Sequence, residues 1–95
     1  MKINSISEFF NFTKNYGLIN IHPEISAFSR CMEEFSRMCP CDPGTAKVSK
    51  INKCKAMYIN FIYKAPQFKE MFLSKVADKS IEFYIDGRCA LTLTR

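Results

Sequence analysis

Tryptophan is missing from this 95-residue chain, histidine occurs once and glycine three times. Each shortage closes off a class of function. With His22 as the lone imidazole, no histidine-based metal cluster can form, and a cysteine–histidine pair would have to use that one ring. Its place before Pro23 suits a helix cap better than a general base. Gly17, Gly44 and Gly87 each fall at a predicted turn or helix end, so no glycine-rich phosphate loop is expected. Glu33 and Glu34 are neighbours, about 100° apart around a helix, and do not converge as a catalytic carboxylate pair. No apolar run approaches the ~20 residues that a membrane span needs. The stretch Met1 to Glu8 lacks the basic start, apolar core and small-residue cleavage site of a secretion signal. The expected setting is therefore the cytoplasm, where thiols stay reduced, and an odd total of five cysteines fits that setting.

What the chain does have is enough apolar material for one packed domain spanning residues 1–95. Hydrophobic residues make up 47% and charged residues 24%, close to globular averages. At this size roughly 60–65% of the unfolded surface becomes buried, so staples are not obligatory. Lys, Asn, Ile, Phe and Tyr are abundant, and all five use AT-rich codons, a composition common in small products of phages and other viruses. The net charge is +5, which favours anionic partners.

Ser5 and Glu8 have capping-box spacing, and Ile6, Phe9, Phe10 and Thr13 recur at helical intervals, predicting a first helix over 6–16 closed by Gly17. Leu18 to Ile21 reads as a short apolar link and a candidate strand. Pro23 then opens a second helix with Glu24 beside the positive end of its dipole. Ile25, Phe28, Met32, Phe35 and Cys39 form a narrow stripe along it. After the turn Cys39-Pro40-Cys41-Asp42-Pro43-Gly44, a third helix from about Thr45 repeats that stepping with Ile51, Cys54, Tyr58, Phe61 and Ala65. The two should form an antiparallel hairpin. Pro66 interrupts the run, and a fourth helix is expected over 67–77 with Phe68, Met71, Phe72 and Val76 inward.

From Ser80 the period switches to two. A two-residue Asp86-Gly87 turn would pair Ile85 with Arg88 and Phe83 with Ala90, dividing the apolar residues between faces. A three-residue loop, 86–88, pairs Ile85 with Cys89, Phe83 with Leu91 and Ile81 with Leu93, and is preferred on register. The fold class is thus α+β: about four helices, including a helix hairpin, followed by a C-terminal β-hairpin.

Cys31, Cys39, Cys41 and Cys54 cluster around the turn. Zinc brings its sulfurs within about 4 Å of one another, whereas Cys31 and Cys39 stand ~12 Å apart along an unbroken helix. Cys31 and Cys54 are symmetric about the turn and should face each other as buried thiols, with Cys39 and Cys41 at the tip. The spacing lacks the paired C-x2–4-C units of zinc fingers and ribbons. Cys39-Pro40-Cys41 resembles the metal-binding tripeptide of copper-transporting membrane ATPases over three residues only, without the membrane helix that frames it there.

Lys47, Lys50, Lys53 and Lys55 crowd the opening turns of the third helix, where positive charge opposes the dipole. They are the candidate anion-binding residues, able to meet a phosphate backbone but not to read bases. Cys89, Leu91 and Leu93 are the candidate protein-binding residues, because the last strand has an edge without charge or proline to guard it. The functional expectation is a non-enzymatic interaction or structural protein without cofactor, a virus- or phage-encoded subunit or host-directed binder with a protein partner or larger assembly. A nucleic-acid-associated protein acting through the lysine face is the alternative, and a small zinc-binding domain using Cys31, Cys39, Cys41 and Cys54 comes third.

Overall fold

The computed structural model describes residues 1–38, 44–76 and 79–95. The predicted hairpin tip, with Cys39 and Cys41, lies outside the described residues, as does Ala77. The elements run β1 (Lys2–Ile3), α1 (Ile6–Asn15), α2 (Pro23–Arg37), α3 (Gly44–Lys64), a 3-10 turn (Ala65–Phe68), α4 (Lys69–Lys75), β2 (Ser80–Ile85) and β3 (Arg88–Thr94). Three long helices and one short one therefore cover a three-stranded sheet in order β1-β2-β3, an α+β domain of two layers.

Local chemistry sets the helix ends. Ser5 accepts a hydrogen bond from the Glu8 amide, and the Glu8 carboxylate accepts one from the Asn4 amide, so both sides of the α1 start are satisfied. At its other end Gly17 takes φ +67. The Leu18 amide reaches the Thr13 carbonyl at 2.7 Å and the Gly17 amide the Lys14 carbonyl at 3.3 Å, the paired bonds of a Schellman close. His22 caps α2 through Nδ1, which accepts from the Glu24 amide at 3.1 Å, and Pro23 follows at the first helical position.

Leu18 to Ile21 is not the third strand. Its backbone turns, with the Ile21 amide bonded to the Leu18 carbonyl, and Leu18 is fully buried. The third strand is Lys2–Ile3, parallel to β2 with Lys2 opposite Glu82 and Ile3 opposite Phe83. Pro66 ends α3 less abruptly than expected: it sits at the start of a 3-10 turn, where its missing N–H costs little, and α4 follows over Lys69–Lys75 rather than 67–77.

The β-hairpin combines the two alternatives the sequence offers. Asp86 (φ 51) and Gly87 (φ 81) form a two-residue turn with both residues left-handed, so Ile85 pairs with Arg88 and Tyr84 with Cys89. The expected 86–88 loop is therefore wrong. Between Tyr84 and Phe83 the register shifts, and beyond it Phe83 faces Leu91 and Ile81 faces Leu93. Ala90 is the extra residue of a β-bulge, which restores the apolar pairing that an unbroken ladder would have lost.

Deleting Ala90 should consequently leave Phe83–Leu91 and Ile81–Leu93 paired, and stability close to wild type. Deleting Thr92 should turn Leu93 out to solvent and cost about 2 kcal/mol or more, from the lost burial of one leucine. Urea unfolding of the two deletions checks this; equal losses would refute the bulge.

Candidate functional site

The sheet is one-sided. Ile3, Ile81, Phe83 and Leu93 are buried against the helices, while Lys2, Cys89, Thr92 and Thr94 on the other side are exposed. Backbone direction follows from two bonds. The Glu82 amide donates to the Met1 carbonyl at 2.8 Å and the Arg95 amide to the Lys79 carbonyl at 3.2 Å. Glu82 thus turns its polar groups toward β1, and Ile81 and Phe83 exchange theirs with Leu93 and Leu91. By the alternation of an antiparallel ladder, Thr92 and Thr94 point their N–H and C=O groups away from β2. No other strand among the described residues pairs with that edge.

Beside the bulge lies an apolar groove of about 250 Å³, lined by Ile59, Ile62, Tyr63 and Pro66 from the helical layer and by Ile85, Ala90 and Leu91 from the hairpin. Tyr63, at 80% relative exposure, is the most open large apolar side chain here. Ala90, the bulge residue, forms part of the groove wall.

The structure separates the residues that the sequence placed together in the last strand. Leu93 is buried and Leu91 half-buried, both facing the helices, while Cys89 is exposed on the opposite face, where its Sγ lies 3.4 Å from Thr92 Oγ1. The bulge is the reason: it changes the facing of side chains between Cys89 and Leu91. The groups this strand offers are the Thr92 and Thr94 backbone, which side-chain periodicity does not display.

The four lysines do not share one face. Lys50 is hydrogen-bonded to Glu34 of α2, and that bond holds the Glu34 carboxyl below its usual range, with Lys53 and Arg30 adding to the field. Lys55 lies about 140° around the helix from Lys50 and donates to Asp86 at 2.8 and 3.0 Å, reaching the β-hairpin turn. Lys47 is half-buried and Lys53 exposed. Partners contributed by α2 and the β-hairpin were invisible in the local spacing.

Cys31 and Cys54 meet across the α2–α3 pair, both buried thiols. Burial first, then the hydrogen bond with Cys31, pushes the Cys54 thiol up to about 12. Among the described residues no group of three or more His, Cys, Asp or Glu could hold a metal ion, and none of the helices there is long and apolar enough to cross a membrane. His22 is spent on its cap and packs edge-on to Phe68. Comparison of the chain with protein-family models, curated proteins and solved structures gives no match.

Two outcomes follow. In the folded protein at pH 8, Cys89 should react with iodoacetamide more than about tenfold faster than Cys31 or Cys54, since reaction needs an accessible thiolate; peptide mass spectrometry reads each site. Alkali should also weaken the fold. Cys54 and Tyr58, whose phenol burial likewise pushes up, keep their protons when folded and lose them when unfolded. The Cys54 contribution is complete below the ordinary thiol value of 9.0 and is lost as pH rises toward about 12. Cys54→Ala should show a shallower decline in urea midpoint between about pH 9 and about pH 11 than wild type, and an identical slope would count against the buried thiol.

Proposed function

We propose that this chain is a non-enzymatic interaction or structural subunit, and that it takes an extended segment of a partner protein as a fourth strand on β3. The observation that carries this reading is the outward-facing backbone of Thr92 and Thr94 on a strand edge that no other strand among the described residues pairs with, next to an apolar groove that reaches β3 at Ala90 and Leu91. Main-chain hydrogen bonds supply affinity in strand addition, and pockets for alternate side chains supply selectivity. An incoming strand would lie about 4.8 Å from β3, with the groove at the Ala90 end of the edge to receive one of its inward side chains.

Nucleic-acid binding through the lysine face has less support, because Lys50 and Lys55 are engaged with Glu34 and Asp86. The abundance of residues with AT-rich codons supports a virus or phage as the setting, with the protein acting in the host cytoplasm or within a virion.

Thr92→Pro removes one outward N–H and leaves the β2–β3 ladder intact, since proline is tolerated on a strand edge. With wild type and this variant as baits in an extract of the native host, wild type should retain a partner that Thr92→Pro loses, at unchanged circular dichroism. Partners held equally by both would end the strand-addition reading.

A further inference from the structure

The occupant of the β3 edge can be specified by charge, an inference that rests on the strand-addition reading above. From Gly87 to Arg95 the chain carries arginine at each end of the strand, Arg88 and Arg95, and no acidic side chain. Both are exposed. Arg88 makes no ion pair among the described residues, and the Arg95 guanidinium is bonded to the neutral Leu73 carbonyl. Lys79, whose carbonyl receives the Arg95 amide, adds a second exposed cation there, so that this end stays positive beside the α-carboxylate of Arg95. The nearest acid at the other end, Asp86, is already held by Lys55.

The two cationic ends are about 24 Å apart along a strand, beyond the ~8 Å screening length at physiological salt. Each therefore acts on its own part of a bound segment. Between them β3 itself carries only neutral residues and borders the apolar groove, and the Glu82 carboxylate opposite Thr92 stands on β2, one strand back from the edge. We propose that the edge takes an extended peptide segment with an acidic residue toward each end and β-branched or apolar residues between, one of them seated over Ile62, Tyr63 and Pro66.

The same charges disfavour a second copy of this chain. Antiparallel pairing of two β3 strands about Thr92 brings Arg88 of one copy within one residue of the position opposite Arg95 of the other, at both ends. Like charges across a strand pair are destabilising, and each copy also carries a net charge of +5.

The test uses the full chain and synthetic peptides of about seven residues, the length of a strand, with blocked termini, read by fluorescence anisotropy. One alternates valine and threonine with glutamate at both ends; a second carries lysine at those ends; a third has proline at its centre. The glutamate peptide should bind, and the lysine peptide should bind at least about tenfold more weakly, as electrostatic complementarity requires. The proline peptide should fail. Thr92→Pro should abolish binding, and Arg88→Glu, an exposed substitution that spares the edge backbone, should erase the preference for glutamate.

Equal binding of glutamate and lysine peptides, lost in Thr92→Pro, would overturn the charge selection while leaving strand addition standing. A dimer in sedimentation that Thr92→Pro dissociates would make a second copy the occupant and overturn the proposal in the same limited way. No binding of the glutamate or lysine peptide at about 1 mM by a monomeric protein would remove both this proposal and the reading beneath it.

Discussion

The fold depends on one phenylalanine. Phe9 of α1 is fully buried, and its ring centroid lies 5.2 Å from Phe28 on α2, 5.2 Å from Tyr58 and 5.1 Å from Phe61 on α3, and 6.0 Å from Phe83 on β2. Such separations and tilted geometries are those in which aromatic rings attract beyond their simple burial. A ten-residue helix is marginal alone, so α1 owes its stability to the elements that this ring touches. The capping box at Ser5 and the glycine close at Gly17 then fix where α1 enters and leaves. Through Phe9 the sheet, the helix hairpin and the N-terminal helix form a single packing problem. Phe72 extends the cluster to α4 through Phe12 and Phe61.

That arrangement explains which features could be read from the sequence. Helix periods, the caps at Ser5 and His22, Gly17 and the facing of Cys31 and Cys54 are local or follow from hairpin symmetry, and each has a residue signature. β1 has none. Lys2–Ile3 is two residues long, too short for any period, and it becomes a strand only because β2 presents an edge beside it. Its anchor is tertiary: the Met1 ammonium donates to the Ser80 carbonyl at 3.0 Å across the length of the chain. Leu18 to Ile21 looked like a strand for the opposite reason. Leu18 is apolar because the helix close drives it into the core, not because it pairs.

The β-hairpin shows two local preferences satisfied at once. Asp86-Gly87 favours a tight turn, since glycine occupies the left-handed region without penalty. The buried face demands Phe83 opposite Leu91 and Ile81 opposite Leu93. A two-residue turn with an unbroken ladder cannot meet the second demand, and a three-residue loop abandons the first. A bulge at Ala90 meets both, at the expense of one unpaired residue and a sharper twist. Turn and register are thus not exclusive: the tight turn replaces the expected 86–88 loop, and the expected partners of Leu91 and Leu93 are kept.

The bulge also joins the fold to the candidate site. It turns Cys89 outward and Leu91 inward within two residues, so the solvent face of β3 is lined by Cys89, Thr92 and Thr94 while its lower face opens onto the groove. A bulged, strongly twisted edge resists pairing with flat strands, and the arginines at its ends resist pairing with a copy of itself. Neither feature would block a short segment of opposite charge, because in the proposed strand addition only Thr92 and Thr94 need partners. On the proposed reading the physical protections of this edge are selective: they would act against aggregation and self-association while leaving the outward N–H and C=O groups of Thr92 and Thr94 to a complementary strand.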